Sequence, residues 1–220
     1  MRQTRLGFTL IELLVVVAII AVLLAVLLPA LSLARGQAQS VVCQGNLRQV
    51  GMGTNYFIED NDGLFPYIPT WTTFSGYWLN RVAPYVGIPV ASNGYVSQSK
   101  GTVIDCPTTN GPNDKWWQDY KVAKHSNFYP KDRWGIIGVS GLVEKIATIQ
   151  RSHEAVTWVV DGTNPGSDGF IYRWKFNEDD PIYADISSRH LGRTSVLWVD
   201  WHVTSTPKID IVAQNFYIVD

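Results

Sequence analysis

The chain has 220 residues, with 18 Lys plus Arg against 19 Asp plus Glu and a formal net charge of −1 at pH 7. That length accommodates about one membrane helix and one domain. The basic residues are scattered and nowhere interleave with aromatics in a strip, which excludes a nucleic-acid footprint.

Residues 1–7 form a short leader that carries Arg2 and Arg5 and ends in Gly7. Phe8 opens an apolar run of Leu, Ile, Val and Ala that continues to Leu28, matching the ~20 residues that span the hydrocarbon of a bilayer. The positive leader is expected to stay in the cytoplasm. Glu12 is the one charge in the run. An acid at a helix centre costs on the order of 2.5–3.5 kcal/mol on insertion, and less near the edge, so it brings a simple anchor no benefit. A tolerated, snorkelling edge charge is the plain alternative. A conventional signal peptide, with Ala34 as a weak cleavage site, fits poorly because its apolar core runs to only ~7–15 residues.

The layout RLGFTLIE resembles the N-terminus of type IV prepilins and type II secretion pseudopilins. The resemblance implies cleavage after Gly7 by a prepilin peptidase, methylation of the new amine on Phe8, and assembly with other pilin-like subunits. An inner-membrane machinery would build the filament, a pilus or pseudopilus. The resemblance places the chain as a single-pass inner-membrane protein in lipid, with its C-terminal domain periplasmic or otherwise extracytoplasmic. It assigns Glu12, fifth in the mature chain, to pairing with the free amine of a neighbouring subunit. The resulting segments are a leader at 1–7, a transmembrane helix at 8–34, an amphipathic continuation at 35–62 and a β-rich domain at 63–220.

Pro29 lies just beyond the apolar run, and proline removes a helix donor, so a bend is expected there. The helix should then resume. Leu31, Ala34, Ala38, Val41, Val42, Leu47 and Val50 lie near helical spacing and suggest a stripe that packs on the domain. Gly36 and Gly45 each weaken it by ~1 kcal/mol relative to alanine. The helix is expected to end by Asn61–Gly63. Glu59, Asp60 and Asp62 offer oxygen ligands to calcium, but the spacing of a calcium loop is missing and a solvated turn reads better. No cofactor is implied.

The distal sequence is rich in glycine, proline and aromatics, with 9 Trp, 10 Tyr and 8 Phe. That composition suits a β-rich domain with long loops. Short extended runs are expected within WWQDYKVAKHSNFYP, and a strand or brief helix within IIGVSGLVEKIATIQ. HEAVTWVVDG reads as a strand in which Val156, Trp158 and Val160 alternate with Thr157 and Val159, turning at Asp161–Gly162. GFIYRWKF is a further strand candidate. Trp71, Trp78, Trp116, Trp117, Trp134 and Trp174 either pack loops against the core or form a surface for a glycan or a secreted client. The second option defines an alternative role as a membrane-tethered binding module.

Cys43 and Cys106 are the two cysteines. In an exported domain they are candidates for one disulfide, and two buried thiols are the alternative. A single pair of cysteines does not make a zinc site. The segment SVLWVDWHV reads as one strand through residues 195–203. In the longer stretch RHLGRTSVLWVDWHV, residues 189–203, His190 is followed after nine residues by Asp200, then Trp201, His202 and Val203. This resembles the C-terminal signature of a bacterial subgroup of prepilin-like proteins, in which His-x9-Asp-Gly is usually followed by His-Val. NLRQVGMGTNYFIEDNDGLFP and Cys106–Pro107 resemble the same subgroup. Trp201 stands where the subgroup has glycine, which argues against a tight left-handed turn there. His190, Asp200 and His202 are metal-ligand types, with a hydrogen-bonded hairpin network as the plainer reading. No nucleophile or general base is marked, so no enzymatic activity is expected; His125 and His153 are isolated. The expected fold is α+β: a long N-terminal helix, membrane half then amphipathic half, packed on a small antiparallel sheet with long loops.

Overall fold

The computed structural model describes residues 9–66, 78–92, 94, 96, 101–108, 120–124, 152–155, 157–162, 170–172, 186–207, 210 and 211. Gly7 and Phe8 lie outside them, as do Trp71, Trp116, Trp117, His125, Trp134, Trp174 and the segment IIGVSGLVEKIATIQ. The chain divides into two compact units, Met1–Ala38 and Gln39–Asp220.

Helix α1 (Leu10–Asp60) is 51 residues long and passes through Pro29. It begins with a reciprocal cap. The Thr9 amide and hydroxyl both donate to Glu12 Oε2 at 2.8 Å, and the Glu12 amide donates back to Thr9 Oγ1 at 3.3 Å. Thr9 therefore sits at the N-cap and Glu12 at N3, the Thr-x-x-Glu arrangement that satisfies two orphan donors of the first turn. The apolar stretch that follows is long and apolar enough to cross a membrane, and none of it is buried within the chain.

Beyond residue 38 the helix acquires a buried face: Cys43, Leu47, Val50, Thr54, Phe57 and Ile58, with Gly51 and Gly53 beside them. The spacing is that of one helical stripe. It differs from the expected stripe, because Leu31, Ala34, Ala38, Val41 and Val42 are exposed and of that set only Leu47 and Val50 are buried. Cys43 sets the phase, and Val41 lies roughly 200° round the helix from it. The helix ends where expected. Asp62 and Gly63 take φ of 53° and 82°, and the Gly63 amide reaches back to the Ile58 carbonyl at 2.9 Å, a Schellman closure.

A short helix α2 (Trp78–Val82) runs into a 3-10 turn (Ala83–Val86) that Gly87 ends at φ 75°. Five strands follow: β1 (Tyr120–Lys124), β2 (Thr157–Asp161), β3 (Phe170–Tyr172), β4 (Arg193–Trp198) and β5 (Val203–Pro207). The sheet order is β3-β1-β2-β4-β5. The pairs β1–β2, β2–β4 and β4–β5 are antiparallel, and β3 joins β1 in parallel at one edge. The fold is thus α+β and pilin-like, with one parallel edge pair that the sequence did not suggest. All five residues of β2 are buried, so the alternation expected there is replaced by a strand covered on both faces.

SVLWVDWHV is not one strand. β4 stops at Trp198 and β5 starts at Val203, and the Trp198 amide donates to the His202 carbonyl at 3.0 Å across the loop. Trp201 adopts φ 71°, so the left-handed turn forms although glycine is replaced. A bulky residue in that conformation costs ~1–2 kcal/mol. The Trp201 ring offsets this by packing on the core, its centroid 6.3 Å from that of Phe65.

Two helix glycines make the packing close. A Cβ on Gly51 would lie 3.0 Å from Leu197 Cδ1, and one on Gly53 only 2.5 Å from Val86 Cγ1. Gly45 has nothing within 4 Å of the same position. Gly53→Ala should therefore destabilise the distal unit by about 1–3 kcal/mol through overpacking. Gly45→Ala should stabilise it by up to ~1 kcal/mol through helix propensity alone. Opposite signs in thermal unfolding of the full chain check the pair; equal shifts would show that close approach is not the cause.

Candidate functional site

Two constellations stand out, one in each unit. In the first, Glu12 is the single acid of a lipid-length apolar helix, held by Thr9 at the helix start. The rest of that turn presents exposed aliphatic side chains, Leu10, Ile11, Leu13 and Leu14. The carboxylate is thus fixed in place among exposed aliphatic side chains.

The second constellation lies in the distal unit. Cys43 projects from the buried face of α1, Cys106 from the turn 101–108, Asp161 from the C-terminal end of β2, and His190 from the hairpin loop that precedes β4. That loop is tight: Leu191 and Gly192 have φ of 55° and 82°, and His190 and Arg193 exchange backbone hydrogen bonds at 3.3 and 3.0 Å. One ligand-type atom from each of the four residues lies within 4.8 Å of the others, and all four residues are buried. The Cys43 thiol donates to Asp161 Oδ1 at 3.2 Å. His190 Nε2 is 3.5 Å from Cys106 Sγ and 3.5 Å from Asp161 Oδ2. The Ser195 amide of β4 donates to Asp161 Oδ2 at 2.7 Å, which fixes the carboxylate. His190 Nδ1 is buried without a hydrogen-bond partner among the described residues.

The electrostatics are those of a concentrated site. Contact with Cys43, then with His190, the charge of Arg189 and Thr108, pulls the Cys106 thiol well below its ordinary value against the cost of burial. Burial pushes the Asp161 carboxyl up, and the Cys106 charge adds to that. Burial alone would lower His190, but its contacts with Cys106 and Asp161 outweigh it and leave the imidazole above its ordinary value. Cys43 and Cys106, the sequence candidates for a bridge, come together here with no disulfide between them.

The C-terminal motif is divided. His190 belongs to the buried cluster, whereas Asp200 and His202 pair at the surface of the β4–β5 loop, Nδ1 to Oδ1 at 2.5 Å. The His202 ring stacks on Trp198 at 5.5 Å and 5°. Asp200 and His202 thus form the hairpin network, and His190 takes no part in it. Asp161 is the residue that sequence reasoning missed: it reads as half of an Asp-Gly turn. Its one signal is a carboxylate ending an otherwise apolar strand, where a solvent-exposed acid would gain nothing from burial. Glu59, Asp60 and Asp62 are exposed; Glu59 accepts from Asn55 at 2.7 Å and Asp60 from Tyr85 at 3.1 Å, as in a solvated helix end. Of the loop tryptophans singled out above, Trp78 is described, and it is fully buried.

Among the described residues, these features amount to one capped apolar helix and an α+β distal unit. Residues 2–28 match the family model described as the prokaryotic N-terminal methylation motif. Over those residues the match supports a type IV prepilin-like N-terminus. Motif and helix together fit a single-pass membrane anchor. The motif implies processing by a prepilin peptidase and assembly with other pilins. No curated protein and no solved structure matches the chain.

Proposed function

We propose that the chain is a structural subunit of a type II secretion pseudopilus or type IV pilus-like filament, held in the inner membrane until it is processed and extracted. The observation that carries this is the methylation motif at 2–28 coinciding with a capped apolar helix whose surface is unburied within the chain. On this reading the leader at 1–7 is removed, Phe8 becomes the methylated first residue, and the distal unit lies outside the cytoplasm. Pro29 gives the helix a place to bend as it packs among its neighbours. The apolar helix supplies the assembly energy by exchanging lipid contacts for helix contacts.

Intact-mass analysis of protein recovered from membranes of a peptidase-active host tests the processing step. The expected species starts at N-methylated Phe8, and Gly7→Ala should leave the full-length precursor. Unprocessed Met1 in wild-type protein would rule the reading out.

A further inference from the structure

We propose that Cys43, Cys106, Asp161 and His190 form a closed, four-ligand site for a divalent metal of the zinc type. The donor set is two thiols, one imidazole and one carboxylate, the ligand classes that hold structural zinc. All four residues are buried, and nothing else in the described residues gathers three or more such groups.

The distances fit the ion. Tetrahedral zinc, with bonds of about 2.3 Å to sulfur and 2.0–2.2 Å to nitrogen or oxygen, sets neighbouring ligand atoms roughly 3.4–3.8 Å apart. The observed edges are 3.2 Å from Cys43 Sγ to Asp161 Oδ1, 3.5 Å from Cys106 Sγ to His190 Nε2, and 3.5 Å from His190 Nε2 to Asp161 Oδ2. These edges use both oxygens of Asp161, and the four ligand atoms all lie within 4.8 Å of one another, so closing the site on one ion requires shifts of up to about 1 Å and no new fold. The Ser195 amide on Asp161 supplies an outer contact that orients a ligating carboxylate. Four protein donors leave no open position, so the role is structural. The two soft thiols disfavour calcium and magnesium, which take oxygen ligands.

The four residues come from four separate elements: α1, the turn 101–108, β2 and the hairpin before β4. One ion therefore cross-links the helix, the turn 101–108, strand β2 and the hairpin loop before β4. It also answers a physical difficulty, since a buried carboxylate beside the charged Cys106 sulfur is costly without a cation to share. This inference does not depend on the filament reading, because every ligand lies in the distal unit.

The test uses the full chain purified in detergent without chelators. Elemental analysis should find about one zinc per chain. Cobalt(II) exchanged into it should give the intense visible bands of a tetrahedral ion and the near-ultraviolet charge transfer of thiolate ligands. Cys106→Ser and His190→Ala should lose both signals, while His202→Ala, in the surface pair, should keep them. Wild-type protein stripped with a strong chelator should unfold at lower temperature and recover on adding zinc alone, a readout that needs no variant. Protein without stoichiometric metal, short by two hydrogens in intact mass and yielding a Cys43–Cys106 cross-linked peptide, would overturn the proposal in favour of a disulfide. So would octahedral cobalt bands without thiolate charge transfer, or metal content lost in His202→Ala.

Discussion

Trp158→Ala is expected to cost the distal unit about 3–5 kcal/mol, the range for truncating a fully buried aromatic. Trp158 has no exposed surface and sits in β2, the central strand of the sheet. Its ring lies 5.0 Å from Phe65 at 53° and 5.9 Å from Trp78 at 71°. These three residues come from the exit of α1, from α2 and from the sheet, so one side chain joins three parts of the core. Each aromatic pair adds ~0.5–1.5 kcal/mol beyond the area it buries. The register irregularity between Thr157 and Val159 falls at Trp158 itself, where a strand re-aims a side chain. A domain of this size should lose roughly 2–4 °C in Tm per kcal/mol. Trp158→Phe should recover much of the loss by refilling most of the volume. Met52→Ala, on the exposed side of α1, should change stability by no more than ~0.5 kcal/mol. Thermal unfolding of the full chain in detergent, followed by near-ultraviolet circular dichroism, reads all three. A Trp158→Ala shift no larger than that of Met52→Ala would show that the aromatic triad does not centre the core.

The long helix was legible because its signals are local: an unbroken apolar run and an Asn-Asp-Gly stop. Its packing phase was not. Leu31 and its neighbours sit at the end of a segment that is apolar all round, and such a segment carries no information about which side faces the domain. The phase is set further on by Cys43, Leu47, Val50, Thr54 and Phe57. Three small residues, Gly51, Gly53 and Thr54, share that face because the sheet and the 3-10 turn approach the backbone there. A hydrophobicity pattern passes over such positions. The β4–β5 hairpin was hidden for the opposite reason. Its usual sign, a glycine at the left-handed position, is replaced by Trp201, whose packing against the core sustains a conformation its own backbone disfavours.

The buried cluster was legible in its parts and not as a whole. Cys43, Cys106 and His190 each drew attention as residue types. What joins them is the fold: a helix face, a turn, a strand end and a hairpin loop that come from distant parts of the sequence. Asp161, which contacts Cys43 and His190 and takes the Ser195 amide, is hidden behind an ordinary Asp-Gly turn signal. Asp200 and His202, by contrast, are two residues apart, and a pairing over that distance can be read from spacing. The division of the C-terminal motif follows from this difference between local and non-local contact.

Glu12→Gln is expected to leave the protein inserted and trimmed but to remove most of it from filaments, and the geometry of the first turn makes this variant more telling than Glu12→Ala. Glu12 has two separable capacities. It caps the helix by accepting from Thr9, and it carries a charge into an apolar assembly. Glutamine keeps the capping acceptor and loses the charge; alanine loses both. On the proposed reading the charge meets the amine of a neighbouring subunit. Losing it leaves an ammonium uncompensated among apolar helices, at a cost on the order of 3–5 kcal/mol. At tenfold per 1.4 kcal/mol, that is roughly a hundredfold loss of incorporation or more. Thr9→Ala makes the converse change, surrendering ~1 kcal/mol of cap while keeping the charge, and should still assemble. Membrane insertion should improve slightly in both Glu12 variants, because an acid no longer has to leave water. The distal unit, Gln39–Asp220, should unfold as in the wild type. Sheared filament yield, compared with a membrane-fraction blot of the same cells, separates assembly from expression. If Glu12→Gln assembles normally and Glu12→Ala does not, the carboxylate serves only to start the helix, and the pairing between subunits must be abandoned.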